Sequence, residues 1–278
     1  MRLTLLATLF ATSAAAAQSP PPRFEVRNTL AASVNVLGLQ DATDAAWTWK
    51  LYESTHPLLD GAHVTLGLSN YLSPSFDRVG AWVELSPLSI LDVRIGLEPV
   101  VYFGAFGTLI SFTGFDDPFD EGSRDARAGE AEVGVGARGY VAPTLKLKVG
   151  PVILAGSAEF EWWRVDAPGR FFYDSTRDTL LRAHGGSAVL FDSVLLWDHE
   201  YGTGSRLRAG AIYNLQEVWD APQNRVQRLG GIVAWTIAGH LIGLDEPTVI
   251  LIAQAYLSDP YKQYEATGAL AVRFWIRP

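Results

Sequence analysis

The sequence predicts an all-β fold, a closed up-and-down antiparallel barrel of about 12 strands with an apolar outer wall and a polar interior. Three observations carry that expectation. Twelve segments alternate apolar and polar side chains, their connections sort into long and short by parity, and aromatic residues gather at segment ends. The last segment, "YEATGALAVRFWIRP", shows the alternation. Tyr264, Ala266, Gly268, Leu270, Val272, Phe274 and Ile276 share one face, and Glu265, Thr267, Arg273 and Arg277 the other, because successive strand side chains point to opposite faces. In a soluble sandwich the apolar face would meet a second sheet. In a membrane barrel it would meet lipid, and the polar face a hydrated lumen.

Bulk composition narrows the choice. The 278 residues are 48% hydrophobic, 12% aromatic and 19% charged, which disfavours disorder. Mean hydropathy is +0.11, yet no interior run approaches the roughly 18 apolar residues of a membrane helix. Hydrophobicity spread over short segments is what strands that cross a membrane require. The formal charge is −8 with no basic run, so no nucleic-acid partner is expected. The chain has no cysteine, which excludes disulfides and thiol ligands. At the N-terminus, Arg2, the apolar stretch Leu3 to Phe10 and Ala15-Ala16-Ala17 form the three parts of a Sec export signal. Residues 1–17 are expected to be cleaved, leaving 18–278 as a single barrel domain.

The expected strands, in order, are Phe24–Val36, Ala45–Ser54, Gly61–Leu72, Asp77–Leu85, Ile90–Phe103 and Glu130–Val149. The second half gives Val152–Arg164, Ala188–His199, Arg206–Gln216, Arg225–Ile237, Thr248–Leu257 and Tyr264–Ile276. In the first, Val26, Leu30, Val34 and Val36 alternate with Glu25, Arg27, Thr29, Ser33 and Asn35. In the fifth, Leu91, Val93, Ile95, Leu97, Val101 and Phe103 alternate with Asp92, Arg94, Glu98 and Tyr102. The sixth sets Val133, Val135, Ala137, Val141, Leu145, Leu147 and Val149 against Glu132, Arg138, Tyr140, Lys146 and Lys148.

With both termini periplasmic, the even-numbered connections are short inner turns, and the outer side holds the two longest, near 104–129 and 165–187. Membrane barrels sort their loops this way. Phe24, Trp197, Trp235 and Phe274 are placed at the inner strand ends, and Trp47, Phe103 and Trp162 at the outer ends, as two interfacial belts.

In signal peptide, alternation, loop sorting and closing strand, the chain resembles Gram-negative outer-membrane β-barrel proteins. The closing strand departs from the family's usual form, because Arg277-Pro278 follow Phe274. The resemblance implies a multi-pass position in the outer membrane. It also implies contact with its lipid and lipopolysaccharide, and insertion by the barrel-assembly machinery.

Candidate lumen residues follow from parity: Arg27, Asp92, Arg94, Glu98, Glu132, Arg138, Glu159, Glu161, Arg206, Arg208, Arg228 and Arg273. Their simplest role is structural, with charges on facing strands paired across a narrow interior. Their functional role is a permeation path. Arg206, Arg208 and Arg228 would form a basic strip extended by Arg27 and Arg273, opposite Glu132, Glu159 and Glu161. The acidic loop 115–130, with Asp116, Asp117, Asp120, Glu121 and Asp125, reads as a solvated surface, with a cation site or an inward plug as alternatives. A lipid hydrolase, as in the twelve-stranded outer-membrane phospholipase A family, needs a base within reach of a serine. Here His184 and Ser187 lie in or beside a loop, and Ser193 and His199 are six residues apart on one strand. No catalytic, cofactor or metal motif stands out. The leading expectation is a porin-like channel passing small polar or charged solutes. A non-conducting scaffold that binds partners through its outer loops is the alternative, and a lipid hydrolase comes third.

Overall fold

The computed structural model describes residues 23–35, 37–241 and 244–277, so the expected export signal lies outside the described residues. In chain order the strands are β1 (Arg23–Val34), β2 (Gly38–Lys50), β3 (His63–Leu72), β4 (Phe76–Leu88) and β5 (Leu91–Phe103). The short β6 (Ser111–Phe112) precedes β7 (Val133–Val149) and β8 (Val152–Val165). Two short strands, β9 (Phe171–Asp174) and β10 (Thr179–Arg182), then lead to β11 (His184–Glu200), β12 (Arg206–Val218) and β13 (Ala221–Thr236). The short β14 (His240–Leu241), then β15 (Leu244–Ser258) and β16 (Ala266–Ile276), complete the set.

Twelve of these close into an antiparallel barrel. Each pairs with its sequence neighbour in the ring, β13 pairs β15, and β1 pairs β16 from Val26 opposite Ile276 to Val34 opposite Gly268. Closure satisfies every edge, which is what allows strands to stand in lipid. The wall is two-sided as expected. Leu30, Leu68, Leu97, Leu195, Trp197 and Leu251 are exposed on the outside, while Arg27, Thr29, Glu98, Arg138 and Glu161 are buried on the inside.

The two long connections, 104–132 and 166–183, lie at the same end of the barrel, here the loop rim. Both described chain ends, Arg23 and Arg277, belong to the opposite turn rim. There the connections 89–90, 150–151 and 201–205 are tight, and 51–62 is the longest.

Two expectations are corrected. The second strand runs Gly38–Lys50, not Ala45–Ser54, because Asp41 and Thr43 face outward and interrupt the alternation that would have revealed it. Trp47 consequently belongs to the turn-rim belt: it is registered opposite Phe24, with ring centroids 4.7 Å apart.

Candidate functional site

The long connections fold inward. The connection 104–132 carries a short helix, Glu121–Ala126, whose first turn is capped by Asp120 accepting the Ser123 N–H at 3.1 Å, a favourable use of an otherwise unpaired donor. β6, β9 and β10 form a separate three-stranded sheet. Ile110, Phe112, Phe119, Phe171, Tyr173 and Leu180 form its own core. Leu109, Phe172 and Leu181 pack instead against wall residues Tyr71, Val100, Tyr102, Trp163 and Leu190. Leu109, Ile110, Phe172, Leu180 and Leu181 are fully buried. Apolar burial of this extent joins the loops to the barrel as a plug.

The hairpin β9–β10 carries Arg177 into the lumen, where the wall has prepared a charged nest. Glu161 accepts from Arg177 Nε at 2.6 Å, from Arg138 Nη2 at 2.6 Å and from the Trp163 indole at 3.0 Å. Arg138 also bonds Glu98 at 2.6 Å and Glu159. Glu98 is paired in addition with Arg78 at 2.8 Å. Asp174 closes the group on Arg177 at 2.8 Å. Gln216 donates to the Arg177 carbonyl at 2.6 Å, fixing the hairpin tip to β12. All but Glu159 among these ionised partners have side chains no more than about 5% exposed. Charges out of water demand such mutual neutralisation. Beneath the plug, Arg94 pairs with Glu84 at 3.0 Å and lies over Trp82 at 3.8 Å. A cavity of about 50 Å³ remains between Tyr71, Arg94, Tyr140, Thr144, Ser157 and Thr176, room for a few waters.

Glu98, Arg138, Glu159 and Glu161 are thus gathered into one network, joined by Arg94 on the cavity wall. Asp92 lies nearer the turn rim with Ser86 at 2.6 Å and Lys146 at 2.5 Å. Arg27 pairs with Asp44, and Arg208 with Asp198 at 3.0 Å. Arg273 is buried close enough to Arg27 and Arg208 to feel their charge.

The proposed strips need correction. Arg208 is registered opposite Ala234, six residues along β13 from Arg228, a separation of roughly 20 Å. Arg228 therefore belongs to the loop half, across from Asn214 and over the Tyr256 ring at 5.8 Å. Arg206 pairs with Glu200 at the turn rim, and Glu132 is exposed just before β7 begins. The lumen is also less polar than the alternation implied. Val194, Leu196, Ile212, Ile232, Ile250 and Ile252 face inward from β11 to β15 and are buried together.

The acidic loop remains at the surface in part. Asp117 accepts from the Thr113 N–H and hydroxyl, and these bonds hold its carboxyl below the usual range. Among the described residues the acidic side chains assemble no group that could hold a metal ion. Asp178, at the β9–β10 turn, is the anchor on this side. Burial opposes its ionisation, but Lys262, the Tyr173 hydroxyl at 2.6 Å and Arg124 outweigh it and hold its carboxyl below the usual range.

Arg177, Asp174, Asp178, Lys262 and Arg124 were absent from the sequence-derived candidates. For Asp174, Arg177 and Asp178 the signal was present in "FFYDSTRDTLLR", two apolar runs around a polar turn, which is hairpin patterning inside a nominal loop.

Known structures share the fold loosely. The translocator domain of the autotransporter NalP from Neisseria meningitidis is 14% identical, over 98% of this chain and 94% of that one, with a TM-score of 0.42. The beta domain of the Bordetella autotransporter BrkA is 10% identical over 92% and 99%, with a TM-score of 0.43. The outer membrane protein Omp33 of Acinetobacter baumannii is 12% identical over 94% and 100%, with a TM-score of 0.39. Likeness at this level transfers no function. No protein-family model matches the chain, and no curated protein matches it in sequence. Twelve strands closed edge to edge, apolar outside and ion-paired within, make the chain a multi-pass outer-membrane β-barrel.

Proposed function

We propose that this chain is a plugged, non-conducting barrel, an outer-membrane scaffold whose rigid loop rim binds a partner or the lipopolysaccharide surface. The observation that carries this reading is the insertion of the β9–β10 hairpin, with Arg177 clasped by Glu161 and Asp174 in the lumen. A pore constriction would leave charged groups facing water. Here the plug shares an apolar core with the wall, and aliphatic side chains pack one side of the turn half. The reading assigns no catalytic step. His199 stacks on Trp197, and Ser193 lies six residues away on the same straight strand, roughly 20 Å off.

A channel that opens when the plug withdraws is the second reading, favoured by the charge-lined cavity under the hairpin. Single-channel recording in a planar bilayer separates the two. The refolded chain is expected to give no discrete steps, and replacement of residues 168–182 by a glycine-serine linker is expected to produce them. Steps from the unmodified chain would overturn the plugged reading. Reversal of its ion selectivity by Arg208→Glu would then place the turn-rim arginines on a permeation path.

A further inference from the structure

The outer wall carries a polar strip that lipid contact does not explain. On β1 to β4, Asn28, Asp41, Thr43, Asn70 and Asp77 all point outward. Asp41 is registered opposite Leu30 and Leu72, both exposed to the outside, and Thr43 lies between Asn28 and Asn70. Asn28 donates to Asp41 at 2.6 Å and to Thr43 at 2.8 Å, and Asn70 donates to Asp77 at 2.6 Å. Asn28 is four residues inside the turn-rim aromatic Phe24. Allowing for strand tilt, that puts it roughly 10 Å up an apolar belt about 25 Å tall. The strip climbs from there across β2 and β3. The far side of the barrel differs: on β8, β11 and β13, Leu154, Phe191, Leu195, Leu229 and Val233 form an apolar wall.

Polar and acidic side chains inside a bilayer are unfavourable unless something other than lipid meets them, so they mark a contact or a function. We infer that the β1–β4 face is the interface between two copies of this chain in the membrane. Copies inserted the same way are related by a twofold axis along the membrane normal, and such an interface must be self-complementary. This face is. It holds amide and hydroxyl donors beside carboxylate acceptors. Asp41 and Asn70 are diagonal neighbours on β2 and β3, because Asp41 opposes Leu72 two residues beyond Asn70. An axis between these strands carries Asn70 of one copy towards Asp41 of the other. Around them Leu30, Leu66, Leu68, Leu72 and Val79 are exposed and would interdigitate as the rim of the contact. The inference does not depend on whether the lumen conducts.

The absence of cysteine from the chain gives a clean test. Ala45 and Leu68 face each other across β2 and β3 beside the strip, so Ala45→Cys and Leu68→Cys leave its polar groups intact. Oxidation in outer membranes is expected to give an adduct of twice the chain mass at both positions, and none with Leu195→Cys on the far wall. Adding Asp41→Leu and Asn70→Leu to the Leu68→Cys chain is expected to lower the adduct yield about tenfold, with the barrel still resistant to protease. Overturning results are no adduct, equal adduct from Leu195→Cys, an adduct whose mass reveals a different protein, or a yield unchanged by the leucines.

Discussion

At the scale of the residue, the energetics of the plug turn on Glu161. Its carboxylate serves Arg138, Arg177 and Trp163 at once and is fully buried. Removing it leaves two buried guanidinium groups each short of a carboxylate, so Glu161→Ala is expected to destabilise the barrel by about 3–5 kcal/mol in urea unfolding. Removing both members of a pair strands less. Glu161→Leu with Arg177→Met should therefore cost less than the sum of the single changes, and a double-mutant cycle reads the difference. Packing at a neighbouring site is just as specific. A Cβ on Gly67 would lie 2.2 Å from the Trp82 ring, so the glycine lets the indole lie flat on the wall beneath Arg94. Gly67→Val is expected to tilt Trp82 off Arg94 and to cost about 1–3 kcal/mol, visible as a shift in tryptophan emission.

The element that decides between open and shut is the β9–β10 hairpin, and its outer anchor is electrostatic. Asp178 titrates lower in the folded chain than in the unfolded one. Its contribution is therefore complete above the unfolded value of about 3.9 and is lost as pH falls through the lower folded value. Asp178→Asn is expected to loosen the hairpin by about 2 kcal/mol at pH 7, measured as faster amide exchange across 171–182. That difference from the unmodified chain should vanish in acid below the folded value, and a difference that never narrows on acidification would rule the charge out. The hairpin was legible in principle from Phe171-Phe172-Tyr173 and Leu180-Leu181, but long outer loops are expected to be solvated, and that expectation masked it. β2 was half hidden for the opposite reason. Asp41 and Thr43 put polarity on the outward face, so alternation alone began the strand at Ala45.

For the whole molecule, the barrel was legible because lipid imposes one rule on most strands: away from the polar strip of β1 to β4, the outward face is apolar. Nothing so uniform governs the inward face. Charged strands such as β5 and β7 wrote a clear two-sided pattern, whereas "VILIA" at 249–253 is apolar on both faces because Ile250 and Ile252 help fill the lumen. Which charges meet inside depended on register around the ring and on loops entering from the rim, neither of which parity records. The same rule yields a test of the assembled barrel. Leu251 is the central residue of β15 and is 53% exposed on the outer wall, so it stands near the bilayer midplane. Trp235, next to the end of β13, belongs to the turn-rim belt. An arginine facing lipid costs about 2–4 kcal/mol at the midplane and at most about 1 near the interface. Leu251→Arg should lose that larger amount in reversible urea refolding into phosphatidylcholine vesicles. Trp235→Arg gives up aromatic anchoring but should lose little to the charge itself, so Trp235→Leu serves as its reference. Equal charge penalties at the two positions would mean that β15 does not cross the apolar belt at its centre, and the assignment of inside and outside along the whole ring would have to be redrawn.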